Sequence, residues 1–431
     1  MRRWSAISTL ALLVLCCLLT SAHSGELPTA KPEEVGVSSQ GLDRLDAYIE
    51  RIVDDKQFSG VVVMMARHGK VVHRKSFGLM ELETKKPMCA EAIFRIASMT
   101  KPITSVAVMM LCDEGRLALD DPVSKYIPEF TNPRVLVSRQ PLKTVPAKRE
   151  ITIRDLLRHT SGLTYAWNPE LGPLYRQAGI IYGLTPEKVT LEENVKRLAK
   201  MPLLFSPGEK WEYGLSTDVL GRVVEVVSGI SLDEFFQTRI LAPLSMNDTH
   251  FRLPEEKNSR LPAVYVRDDN GQMRRLFDGK MYGPSLPYSV DFAYNGKSTY
   301  LSGGAGLCST ASDYMRFCQM LLNGGQLDGK RLLREETVRA MRSNQIGDLS
   351  GLDLGPGEKF GLGFQVVENV EQKDQQLVGS YSWGGFFGTL FWIVPKEDWI
   401  LVVMLQQVGG PERTRRWPAE LERFAAAAVV K

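Results

Sequence analysis

Histidine and cysteine are scarce: this chain of 431 residues holds five of the first and six of the second. None stands in a C-x-x-C or H-E-x-x-H arrangement, so the spacing of a metal site is missing. No serine lies in G-x-S-x-G, which removes the strained nucleophile turn of the common α/β hydrolases. Charge of one sign is lacking too. With 53 Lys and Arg against 50 Asp and Glu the formal net charge is +3, which argues against nucleic acid as a partner.

What is present begins with a leader. Arg2 and Arg3 precede an apolar run from Leu10 to Leu19, and Ser21-Ala22-His23-Ser24 supplies small residues suited to cleavage. The run is too short to span a bilayer, so residues 1–24 read as a secretory signal peptide. A cut after Ser24 leaves 407 residues and removes two positive charges, which brings the net charge to +1. Val14 and Leu15, ahead of Cys16 and Cys17, do not resemble a lipid-attachment site. The expectation is a secreted or periplasmic protein with no stable membrane span after cleavage. Export permits disulfides, and the spacing of Cys89, Cys112, Cys308 and Cys318 leaves open whether all stay free or one bridge forms.

A content of 44% hydrophobic and 24% charged residues is that of a globular protein. Leu42, Leu45, Ile49 and Ile52 make a helical stripe within 39–55. Two β-rich runs, from Gly60 and from Val71, flank His68-Gly69-Lys70 as a hairpin, with His68 and His73 as strand or turn surface. A helix follows Ser98 and stops at Gly115, and Asp120-Asp121-Pro122 marks a turn. Residues 131–150 are basic and proline-bearing and read as a surface loop, and 152–158 as a short helix. Helices are expected near 190–200, over Ser216 to Ser228 before Gly229, from about Ser231, and over 311–323. Residues 253–299, rich in Pro, Gly, Asp and Asn, read as an insertion or lid over a cleft. Four β-rich runs start at Phe360, Gln376, Thr389 and Trp399, before a closing helix at 418–430. Strands at both ends imply one antiparallel sheet assembled from both chain ends. The expected division is an α/β lobe of 25–110 and 304–431, with a mainly helical lobe of 111–303 inserted.

Chemistry enters at Phe94-Arg95-Ile96-Ala97-Ser98-Met99-Thr100-Lys101. A serine three residues before a lysine at a helix start puts both on one face, one turn apart. A desolvated lysine can take a proton from a serine hydroxyl, which makes Ser98 a candidate nucleophile and Lys101 its activator. S-x-x-K alone does not separate this from a capping serine beside a solvated lysine.

Further motifs fall in register along the chain. They are Leu156-Leu157-Arg158-His159-Thr160-Ser161-Gly162-Leu163, Phe205-Ser206-Pro207-Gly208, Tyr213-Gly214-Leu215-Ser216, Gly303-Gly304-Ala305-Gly306-Leu307 and Trp383-Gly384-Gly385. With Ser98-x-x-Lys101, these six in this order resemble the serine β-lactamase and penicillin-binding protein superfamily. The nearest resemblance is to the class C-like branch that includes the family VIII carboxylesterases, over about residues 35–428. The resemblance implies an α+β, β-lactamase/transpeptidase-like fold. It also implies Ser98 as acyl-accepting nucleophile, Lys101 as its activating neighbour and Tyr213 as the proton carrier. The backbone N–H groups of Ser98 and Phe386 would form the oxyanion hole. His159 would sit in a structural turn, and Arg95 and Arg158 read as structural or surface arginines.

Two departures from the family pattern bear on substrate. Trp383-Gly384-Gly385 stands where lactamases and peptidases carry Lys-Thr-Gly, so the cation that grips a substrate carboxylate is absent. Leu215 replaces the asparagine of Y-x-N. Trp383, Gly384, Gly385 and Leu215 would therefore present apolar surface to substrate, which favours esters of small, neutral acyl groups. The alternatives are a β-lactamase, a D-amino-acid peptidase or amidase, an acyltransferase, and a catalytically inactive binding or scaffold protein of the same fold. A small-molecule ester or amide is the expected partner. No metal or organic cofactor is implied, and the sequence leaves oligomeric state open.

Overall fold

Gly60–Arg67 is apolar at nearly every position, and all eight of its residues are buried, so this strand needs cover on both faces. The computed structural model supplies it. The residues described are 25–430 except 269, 284–285, 295, 352–353, 369–376 and 410–412. The leader and the start of the Gln376 run lie outside them. An eight-stranded antiparallel sheet contains β1 (Gly60–Arg67), β2 (Lys70–Glu81), β3 (Lys86–Pro87), β4 (Glu358–Phe360), β5 (Gln365–Val367), β6 (Tyr381–Gly384), β7 (Leu390–Val394) and β8 (Trp399–Met404). Its order is β4-β5-β6-β7-β8-β1-β2-β3, so the two chain ends meet where β1 pairs with β8, Val62 opposite Met404 and Arg67 opposite Trp399.

Alternation along these strands builds two cores. Val61, Val63, Met65, Leu401 and Val403 face one side, where the terminal helices α1 (Ser39–Asp54) and α5 (Arg413–Ala428) pack. Val62, Met64, Ala66, Val402 and Met404 face the other. There they join α2 (Thr100–Asp113), α3 (Ser216–Ser228) and α4 (Ala311–Leu322) in one core. Each such Val, Leu or Met removed from water contributes roughly 1.5–3 kcal/mol. Helix α2 is buried from Thr100 through Leu111, as a helix surrounded by protein must be. Caps fix the helix starts: the Ser38 hydroxyl accepts from the Gly41 amide, and Thr310 from Asp313. This is the α+β, β-lactamase/transpeptidase-like architecture, with a sheet from both chain ends and a helical insert.

Two readings need correction. Residues 131–150 are not a loop: Arg134–Arg139 pairs with Leu142–Pro146 as a hairpin. The bulge between Leu136 and Ser138 and the prolines at 133, 141 and 146 break the alternation by which strands are read. The run from Phe360 is two strands, because the chain turns at Gly363 (φ +96°), where a side chain is strained. Within 253–299, Val264–Arg267 and Met273–Leu276 form a sheet with Gln407–Val408, tying this insertion to the C-terminal part of the chain. All four described cysteines are free.

Candidate active site

The segment that enters α2 is unusual in its backbone. Phe94–Arg95 pairs with Cys308–Ser309, and a 3-10 turn over Ala97–Met99 then leads into the helix. Ala97 has φ +40°, a left-handed conformation that a residue with a Cβ adopts only where its surroundings hold it. Ser98 thus sits in the turn ahead of the helix, partly exposed, and Lys101 lies in the first helical turn, 2% exposed.

Lys101 Nζ reaches three oxygens, one for each ammonium hydrogen: Ser98 Oγ at 3.3 Å, Tyr165 Oη at 3.0 Å and the Gly304 carbonyl at 2.8 Å. The Gly304 contact requires glycine, since a Cβ there would overlap the Asp218 carboxylate behind it. Tyr213, just before α3, donates its hydroxyl to Ser98 Oγ at 2.8 Å, and Lys101 Nζ lies 4.6 Å from its ring centroid. Serine, lysine and tyrosine, expected to converge, do converge.

The Trp383-Gly384-Gly385 strand also lies where expected, on β6. The Tyr213 and Trp383 ring centroids are 5.3 Å apart. The Gly385 amide donates to the Thr389 carbonyl at 2.7 Å, and its Cα lies so near the Ile96 carbonyl that any Cβ would overlap it. This close approach sets the Phe386 turn beside the segment leading into Ser98. Among the described residues, no acceptor takes the Phe386 amide. Leu215 departs from expectation. It is 0% exposed and caps α3 from within the core, so it presents no surface to a substrate. A leucine at a helix start next to a site tyrosine reads from sequence as a pocket wall, but its side chain fills the interior.

Two residues escaped the sequence reading. Tyr165, two positions past the H-T-S-G-L motif, accepts from Lys101, and burial together with its phenol neighbour Tyr213 pushes its hydroxyl well above the usual tyrosine range. Asp218 lies in the first turn of α3, where an acid passes as an ordinary helix-start residue. It is fully buried behind Gly304, accepts from Ser302 Oγ at 2.6 Å and Tyr300 Oη at 2.9 Å, and burial raises its pKa. His159 takes no hydrogen bond at its buried Nδ1, and its ring lies against Trp211, Tyr213 and Phe360. Burial, and then the charge of Lys101, hold it well below the usual histidine range, so it is a neutral packing element of the turn. Arg95 is buried and bonds the Val290 carbonyl at 2.6 Å, and Arg158 bonds the Gln345 carbonyl at 2.8 Å; both are structural. Among the described residues no cluster of His, Cys, Asp and Glu is suited to a metal.

Comparison with known proteins gives the family. The family model described as Beta-lactamase matches residues 45–424. The chain belongs to the β-lactamase family. It is a serine hydrolase of that family. It is similar to esterase EstB of Burkholderia gladioli, 34% identical over 370 residues that cover 84% of this chain and 89% of the esterase. Similarity extends to the acyltransferase mokF of Monascus pilosus, 31% identical, covering 84% of this chain and 91% of that protein. The solved structure of EstCE1, described as a hydrolase with promiscuous acyltransferase activity, superposes with a TM-score of 0.76 at 29% identity. It covers 91% of this chain and 98% of that one.

Proposed function

We propose that this hydrolase cleaves carboxylic esters of small, mainly neutral acyl groups through an acyl-enzyme on Ser98. One observation carries the reading: Tyr213 Oη and Lys101 Nζ lie 2.8 and 3.3 Å from Ser98 Oγ, beside a strand whose Trp383-Gly384-Gly385 holds no cation. Tyr213, its own proton first lost to solvent, takes the Ser98 proton as Oγ attacks the ester carbonyl. The Lys101 cation stabilises negative charge on the phenol oxygen during that transfer. The amides of Ser98 and Phe386 hold the oxyanion, each contributing roughly 3 kcal/mol to the transition state. Tyr213 returns the proton to the departing alkoxide, and the C–O bond to the alcohol breaks. Water then gives Tyr213 a proton and attacks the acyl carbon, and as the bond from that carbon to Oγ breaks Tyr213 hands the proton to Ser98. An alcohol in place of water turns the same cycle into acyl transfer, a second reading that the similarity to mokF and EstCE1 favours.

A panel of nitrophenyl acetate, butyrate and hemisuccinate with a chromogenic cephalosporin tests the assignment. Fast turnover of the neutral esters, slower turnover of the hemisuccinate, and loss of all activity in Ser98→Ala are expected. Cephalosporin hydrolysis faster than ester hydrolysis would overturn it, because the missing cation is the reason for preferring esters. The leader reading of residues 1–24 places the protein outside the cytoplasm. An exported product beginning at Gly25 supports this, and a cytoplasmic product that keeps Met1 contradicts it.

A further inference from the structure

Eight large apolar side chains stand exposed among the described residues, and three of them share one hairpin: Val137 (61% exposed), Leu142 (59%) and Val145 (47%). That hairpin, Arg134–Arg139 with Leu142–Pro146, also carries Arg134, Arg139 and Lys143, and no acidic residue lies between Pro133 and Pro146. The Arg134 side chain bonds the neighbouring Thr144, at its hydroxyl at 2.7 Å and its carbonyl at 2.9 Å. The basic side chains at the hairpin base are paired instead, Lys148 with Glu209 and Arg149 with Asp155 at 2.5 Å each. Arg139 sits opposite Leu142 in the pair, so a cation and an apolar side chain share one face.

The hairpin does not need these outward groups to hold its place. The Leu136 amide donates to the Leu203 carbonyl at 2.9 Å, the Leu203 amide to the Arg134 carbonyl at 2.7 Å, and Val135 and Leu136 pack against the main core. Exposed apolar tips among uncompensated cations cost solubility and add nothing to this core.

We propose that the 134–146 hairpin docks the protein on an anionic phospholipid surface. The apolar tips would enter the acyl boundary while Arg139 and Lys143 meet lipid phosphates, the combination that interfacial attachment uses. A second copy of this chain is the poorer occupant. It would set the same cations against each other with no hairpin carboxylate to neutralise them. The docking needs no transmembrane element, and among the described residues no helix is long and apolar enough to cross a membrane. The proposal stands independently of the ester reading.

The test is co-sedimentation of the full-length mature protein with vesicles of phosphatidylcholine alone, or with about one-third phosphatidylglycerol. Wild type should sediment with the anionic vesicles only and be released by salt. Arg139→Gln with Lys143→Gln should weaken binding roughly 25-fold, about fivefold for each cation. Val137→Ser with Leu142→Ser should weaken it by more than about tenfold. Both variants should keep the wild-type thermal unfolding midpoint to within a few degrees, which shows that they are folded. Three results would overturn the proposal: no binding to either vesicle, equal binding to both, or binding that neither variant changes. A lipid-free dimer that the same substitutions dissolve would assign the hairpin to self-association and overturn it too.

Discussion

Tyr213 and Ser98 stand 115 residues apart in the chain, yet their hydroxyl oxygens meet at 2.8 Å, with Lys101 Nζ 3.3 Å from Ser98 Oγ and 4.6 Å from the centre of the Tyr213 ring. The contact brings the end of one helical connection against the turn that opens α2. It gives the serine a proton partner that no histidine supplies, since His159 touches Tyr213 only ring to ring.

Replacing Tyr213 by Phe removes that partner and keeps the ring among Tyr165, Trp211 and Trp383. The expected result is a fall in kcat on nitrophenyl acetate of about a thousandfold, the scale of a lost general acid–base group. Thermal stability should stay within a few degrees of wild type. A variant with unaltered kcat would remove Tyr213 from the mechanism.

Tyr165→Phe deprives Lys101 of one of its three acceptors and leaves Ser98 Oγ and the Gly304 carbonyl in place. Losing a hydrogen bond to a charged group is worth about 1.5–3 kcal/mol. Turnover should therefore drop by roughly 10- to 100-fold, less than for Tyr213→Phe. Steady-state kinetics of the two single variants and the double variant separate the effects. Strict additivity would show that Tyr165 acts outside the Lys101 set.

Gly384 and Gly385 should differ in tolerance although they are neighbours. A Cβ on Gly384 meets the flexible end of Leu390 at 2.8 Å, whereas one on Gly385 overlaps the Ile96 backbone carbonyl. Gly385→Ala should push the Phe386 turn away from Ser98 and cost about a hundredfold in kcat, the scale of a lost oxyanion donor. Gly384→Ala should cost less than about tenfold. Equal losses would mean that the approach to Ile96 does not set the oxyanion geometry.

Asp155 supplies a pH signature in the turn before His159. Burial disfavours its charge, but the Arg149 guanidinium and the Thr152 cap outweigh this and hold the carboxyl at about 2, below the ordinary 3.8. A depressed carboxyl stabilises the fold fully above its unfolded pKa, and the contribution is lost as pH falls through the folded value. Asp155→Asn should therefore cost about 2 kcal/mol near pH 7 and almost nothing near pH 2. Urea unfolding at both pH values checks this, and an equal loss at both would show that charge is not the source.

Much of this was legible beforehand because the signals are local or strongly periodic. The stripe of Leu42, Leu45 and Ile49, the Ser216-to-Gly229 helix and the β-rich runs near the C-terminus each specify their own element. Ser98, Lys101 and Tyr213 stood out through motif spacing. Tyr165, Asp218 and the burial of Leu215 did not, because each depends on which way a side chain turns once distant segments meet. The 134–146 hairpin was missed for a different reason: its bulge and prolines erase the period of two.

Intact-mass spectrometry during turnover of a slowly hydrolysed ester tests the central claim most directly. Wild type should gain the mass of one acyl group, the modified peptide should contain Ser98, and Ser98→Ala should gain nothing. An acyl group on another residue, or undiminished ester cleavage by Ser98→Ala, would contradict the account.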